Sequence, residues 1–260
     1  MDAVTRDRRI HGDGTAARAW HEDAALAAVP PADAQSLVPP GARLVIVAPH
    51  PDDEILACGG LLQLLPAHAQ PPLLVAVTDG EASHPGSAAW PRERLRAERP
   101  HETLAALDCL GIARPSLLRC AIADGGVTAS EAALAQRLAA LLMPGDVVVT
   151  TWRYDGHPDH EATARASAHA AGLRGARLLE VPVWGWHWST PADGAMPLAH
   201  ARKLALPDMV LARKRAAMAC FRSQVLPDAS RAAEPVVPAQ ALDRILMPFE
   251  LYFHEPASAF

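Results

Sequence analysis

At 260 residues the chain is long enough to bury one sizeable α/β core, and nothing in it forces a second domain. Its net charge of -5 and pI near 6.2, with no Lys/Arg-rich run, exclude a phosphate-backbone partner, so no nucleic acid is expected. No apolar stretch approaches the ~18 residues of a membrane span, and no apolar leader segment follows the mixed charges of Met1 to Arg9, so a cytoplasmic protein without a membrane span is expected.

Residues 1–41 read as an N-terminal extension lying on the surface, with one helix between Thr15 and Ala28, and residues 42–260 as the domain proper. Leu44 to Ala48 is a short apolar run suited to a strand covered on both faces. Pro49 and Pro51 stop its ladder, and Ile55 to Leu65 resumes with helical spacing. A second strand, Leu73 to Val77, ends in Thr78-Asp-Gly-Glu81. Glu93 to Leu110 has helical spacing, with Pro100 expected to kink it or delay its start. Ser116 to Ile122 is the next strand, and Thr128-Ala-Ser-Glu131 is a capping-box pattern ahead of a helix from Ala132 to Leu142. Val147 to Thr151 is another buried strand, followed by the loop Trp152 to His160 and a helix from Glu161 to Ala171. Leu178 to Val183 reads as a strand and Asp208 to Ser223 as an amphipathic helix, while the tail from Ala233 has no clear pattern. Strands alternating with helices predict an α/β fold, Rossmann-like, with a mostly parallel sheet and helices on both faces of a single domain.

His50, Asp52, Asp53 and Glu54 fall at a strand-to-helix junction, where open α/β sheets bind ligands. His50 and Asp53 can hold one metal from a single turn, and His160, after a different strand, can supply a third ligand. Two imidazoles and a carboxylate leave a position open, as in catalytic zinc sites where a bound water has a pKa near 7. Asp52 is then placed to take that water's proton, and His157 to stabilise an oxyanion. The four cysteines, Cys58, Cys109, Cys120 and Cys220, lack C-x-x-C spacing and imply neither a disulfide framework nor a cysteine-ligated metal. Trp184, Trp186 and Trp188 alternate with Gly185 and His187, so in an extended segment the three indoles share one side and can stack on a sugar or pack in the core.

Ala48-Pro-His-Pro-Asp-Asp-Glu54 together with Asp155-Gly-His-Pro-Asp-His160 resembles the PIG-L (LmbE-like) family of metal-dependent de-N-acetylases. Thr78-Asp-Gly-Glu81, Arg99 with Glu102, and Ser223-Gln224 extend the likeness over residues 43–224. The resemblance implies His50, Asp53 and His160 as zinc ligands, with another divalent metal as an alternative, Asp52 as general base and His157 as oxyanion stabiliser or proton donor. Glu81, Arg99, Asp155 and the three tryptophans are the expected substrate contacts. A tyrosine that one branch of the family carries two residues before its second-motif histidine is here Asp155. The implied activity is hydrolysis of an N-acetyl or N-acyl group from an N-acetylglucosamine-type sugar or glycoconjugate. Two competing readings are a non-haem Fe(II) oxygenase using the same three ligands and a catalytically silent sugar-binding module. His-x-x-Asp spacing and the α/β pattern disfavour the first, and the presence of Asp52 the second. Oligomeric state is not legible.

Overall fold

The computed structural model describes residues 8–66, 70–112, 115–231 and 233–254. The first seven residues of the N-terminal extension lie outside that range. In chain order the extension contributes α1 (Ala17–His21), α2 (Ala24–Ala27), β1 (Pro31–Ala32) and α3 (Ala34–Leu37). Next come β2 (Leu44–Ala48), α4 (Asp53–Leu64), β3 (Leu73–Thr78), α5 (Arg92–Cys109), β4 (Ser116–Ile122), α6 (Val127–Leu141), β5 (Val147–Thr151), α7 (Pro158–Arg174) and β6 (Arg177–Val181). The chain closes with α8 (Gly185–Trp188), β7 (Ala201–Ala205), α9 (Asp208–Met218), α10 (Arg222–Val225), α11 (Ala239–Ile245) and β8 (Phe249–His254).

Every residue of β2 and β5 is buried, as their apolar sequences demand. Leu44, Ile46 and Ala48 join one core with α4 and α9, whereas Val45 and Val47 join a second core on the opposite face with α6 and α7. Period-two alternation thus places helices on both sides of one sheet of eight strands, ordered β1-β7-β8-β6-β5-β2-β3-β4. The pairs from β6 to β4 are parallel, while β8 runs antiparallel to β6 and β7. The chain leaves β2 toward β3 on one side and returns with β5 on the other, so the strand order reverses between β2 and β5. That is the switch point at which such sheets form a crevice at their carboxyl ends.

Several expectations are corrected. The helix expected over 15–28 is two short helices, and β1 pairs with β7 at the sheet edge. Trp20 of the extension is buried in a third apolar cluster with Trp186 and Leu251. Helix α5 is continuous through Pro100. Helix α6 begins at Val127 with no side-chain cap, so the 128–131 capping box does not form, and Glu131 pairs with Arg165 instead. The helix expected to reach Ser223 ends at Met218, and a turn at Phe221 starts α10.

Candidate active site

Loop 49–52 turns sharply between β2 and α4. Thr78, at the end of the neighbouring β3, fixes it by donating its amide (3.0 Å) and hydroxyl (2.8 Å) to the Pro49 carbonyl. Asp52 absorbs the turn with φ 126°, a backbone conformation that a side chain disfavours and that tends to mark functional sites. The result points three groups at one place: Asp53 Oδ2 lies 3.4 Å from His50 Nδ1 and 3.3 Å from His160 Nε2. His160 comes from the first turn of α7, after β5, so two separate strand ends supply these groups.

The far nitrogens of both imidazoles are also held. His160 Nδ1 meets Asp155 Oδ2 at 2.8 Å, and His50 Nε2 meets Asp124 Oδ1 at 3.2 Å and Asp159 Oδ2 at 3.4 Å. A carboxylate behind each histidine is the arrangement that orients metal-ligating imidazoles and raises their basicity. This donor set therefore fits a divalent cation, with His50 Nδ1, Asp53 Oδ2 and His160 Nε2 as the atoms to hold it. Among the described residues, His50, His157 and His160 also cluster closely enough to hold an ion, as do His50, Asp124 and Asp159. Asp159, however, already accepts the amides of Gly125 (2.7 Å) and Val127 (3.2 Å), and Asp124 that of Ala82 (2.8 Å).

Electrostatics follow from burial and these contacts. Burial pulls the His50 pKa down, but Asp124, Asp159 and Asp53 outweigh it and hold the imidazole well above its ordinary value. Burial opposes ionisation of Asp53, yet His160 and His50 bring it down to about 2. Asp52 goes the other way, pushed well above the usual carboxylate range by burial against the opposing Arg99 charge. Burial likewise raises Glu54 to about 7, although it accepts the Asp52 amide at 3.0 Å. His157 is driven to about 3 by burial and by its neighbours His160 and His50, so it is neutral. It caps α7, its Nδ1 accepting the Asp159 amide at 3.3 Å, which leaves the proton on Nε2.

Arg99, nine-tenths buried and more, is turned inward. It donates to the Pro51 carbonyl, to Gly80 O (2.8 Å) and to Asp52 Oδ2 (3.3 Å). Gly80 sits at φ 63°, and any Cβ there would overlap the guanidinium, which explains the glycine in Thr78-Asp-Gly-Glu81. Arg99 does not pair with Glu102, which accepts the Ser223 amide (2.8 Å) and hydroxyl (2.6 Å).

A cavity of about 390 Å³ opens over this cluster. His50, Asp52, Asp53, Arg99, His157, His160, Trp184 and Gln224 line it, and so do Asp124, Ser83, Ile10, Val236 and Val237, which the motifs did not single out. Asp124 follows β4 in Ala123-Asp-Gly-Gly126, and the strand-end position that singled out Asp52 and Asp53 would have found it. Other expected contacts lie elsewhere. Asp155 is fully buried, accepting the amides of Val183 (2.9 Å), Trp184 (3.0 Å) and Gly185 (2.8 Å) besides bonding His160, and it does not line the cavity. Glu81 lines a separate depression with Arg96 and Arg119 and meets the Asp124 amide at 3.3 Å. The tryptophans do not share one side, because 185–188 is a helical turn. Trp186 packs edge-on against Trp20, Trp188 stacks on Trp152, and Trp184 alone of the three lines the cavity.

A doubly wound α/β domain with a metal-suited His/Asp cluster at its switch point is the class that fold and site define. Residues 45–171, just under half of the chain, match the model of the PIG-L family, described as GlcNAc-PI de-N-acetylase. The chain is 29% identical over 195 residues to the 1D-myo-inositol 2-acetamido-2-deoxy-alpha-D-glucopyranoside deacetylase of Mycolicibacterium gilvum (strain PYR-GCK). That match covers 64% of this chain and 65% of the relative, so the chain spans just under two thirds of the curated relative's length. Among solved structures it resembles the conserved protein TT1542 of Thermus thermophilus, with TM-score 0.52 and 26% identity over 70% of this chain and 80% of that one. It also shares its fold with the A40926 pseudoaglycone deacetylase Dbv21, with TM-score 0.60 and 23% identity over 82% of this chain and 96% of that one. Among the described residues no helix is long and apolar enough to cross a membrane.

Proposed function

We propose that the chain is a zinc-dependent hydrolase that removes the N-acetyl or N-acyl group from an N-acetylglucosamine-type sugar or glycoconjugate. The observation that carries this is the convergence of His50 Nδ1, Asp53 Oδ2 and His160 Nε2 in a cavity that a second carboxylate, Asp52, also lines. Imidazole and carboxylate donors suit zinc, and a divalent cation held there supplies Lewis acidity, polarising an amide carbonyl and lowering the pKa of water.

The protein's own residues supply the rest. Asp52 lines the cavity, and its raised proton affinity suits it to accept a proton from attacking water and pass it to the departing amine. Arg99 fixes the Asp52 carboxylate. His157, neutral and protonated on Nε2, acts as hydrogen-bond donor to the developing oxyanion; an imidazole in that tautomer has no Nε2 lone pair for a metal. The relative from M. gilvum bears the name of a sugar deacetylase, which supports the substrate class. The α/β sheet and the His-x-x-Asp spacing disfavour an oxygenase. Purified full-length protein loaded with zinc is expected to release acetate from at least one N-acetylated amino sugar in a panel. Metal content with no carboxylic acid released from N-acetyl- or N-hexanoyl-glucosamine, whether free, lipid-linked or glycosidic, would overturn the reading.

A further inference from the structure

The cavity has two kinds of wall. Its floor is mostly polar and drawn from strand ends, with Asp52, Asp124 and His157 among its groups. Its rim is apolar and comes from outside residues 45–171: Ile10 from the extension, Trp184 after β6, and Val236 and Val237 ahead of α11. Val236 is 36% exposed, so the apolar lip reaches the surface. An amino sugar uses polar groups on the floor but has nothing for such a rim to bury.

The rim is also held in place. Arg8 pairs with Glu161 at 3.1 Å, His187 Nε2 donates to His11 O at 3.0 Å, and the Thr15 amide donates to His187 O at 3.0 Å. Arg244 bonds Asp13 O (2.7 Å), Thr15 O (3.0 Å) and His187 Nδ1 (2.9 Å). Ile10 therefore sits between two anchored residues, and on the other side the Val237 amide bonds Gln224 O at 2.9 Å. An ordered apolar wall binds without the entropic cost of assembling it.

We propose that the substrate carries an apolar substituent that lies against Ile10, Trp184 and Val236, with Ile10 a specificity-determining residue. The proposal rests on the amino-sugar reading of the floor. Either the aglycone or the N-acyl chain can present that surface, and both need the same wall. Each methylene buried there multiplies affinity by about fourfold. Titration calorimetry on the full-length protein with chelator, so that no turnover intervenes, compares hexyl with methyl N-acetylglucosaminide and N-hexanoyl- with N-acetylglucosamine. At least one long-chain ligand is expected to bind about tenfold or more tighter than its short partner, and the pair that differs identifies the substituent. Ile10→Ser should shrink that ratio several-fold and Ile10→Leu restore it, which a merely structural loss would not do. The proposal fails if neither long chain binds more tightly, or if Ile10→Ser leaves the ratio unmoved. Binding ratios do not depend on hydrolysis, so a failed acetate assay strikes the hydrolase reading alone.

Discussion

Each of the two motifs carries a carboxylate close to its metal-suited histidine, and their surroundings give the two opposite tasks. Asp52 opens onto the cavity and is held by Arg99, whereas Asp155 is sealed from the cavity and commits both oxygens to His160 and three amides. Asp52→Asn is accordingly expected to keep metal content while kcat falls by about 10² or more, as loss of a general base typically does. Asp155→Ala is expected to act on the metal instead, because His160 loses the partner that fixes its orientation. Metal affinity should fall about 10- to 100-fold, read by competition with a fluorescent chelator. Equal metal affinity in the Asp155→Ala and parent proteins would remove His160 from the ligand set.

Helix α4 carries Asp53 and is broken by one residue: Cys58 sits at φ -143° and ψ 23°. A break frees backbone groups that must find partners. Here Glu250 of β8 accepts the amides of Gly60 (2.6 Å) and Leu61 (2.9 Å), while Lys214 of α9 donates to Leu56 O (2.9 Å) and to Glu250 (2.6 Å). A Cβ at Gly60 would overlap the Leu206 side chain and crowd the Glu250 carboxylate, so a larger residue there forces both to shift. Glu250→Gln leaves the fully buried Lys214 ammonium without its counter-charge and should cost about 3–5 kcal/mol in urea unfolding. Lys214→Met added to it should recover much of that loss. None of this is legible in the sequence, because Glu250 is a lone carboxylate in a tail without periodicity and its partners are remote along the chain. Leu44 to Ala48 and Val147 to Thr151 are legible because strands buried on both faces must be apolar throughout. The metal-suited residues are legible because short spacing at a strand end already fixes which side chains meet. Trp184, Trp186 and Trp188 mislead because alternation implies a shared face only when the backbone is extended. Pro100 misleads the other way, its helix-breaking tendency overridden by an α5 that buries Leu95, Arg99, Thr103 and Leu107.

Across the whole molecule, the question is whether the extension is an appendage or part of the folding unit. Trp20 is 2% exposed, packs edge-on against Trp186 with ring centroids 5.1 Å apart, and donates Nε1 to the Trp186 carbonyl at 3.0 Å. Leu26, Val29 and Leu37 are buried as well, and β1 extends the sheet beyond β7. Removing a large buried aromatic typically costs about 3–5 kcal/mol. In a domain of this size each kcal/mol lowers the melting temperature by about 2–4 °C. Trp20→Ala is therefore expected to lower the main calorimetric transition by roughly 10 °C while keeping it single, since the cavity opens in a cluster shared with β8. An appendage would behave differently, melting in a separate earlier step and leaving the main transition where it was. The single, displaced transition would also mean that the segment presenting Ile10 to the cavity folds with the sheet that presents His50 and His160, so that rim and floor are assembled in one step.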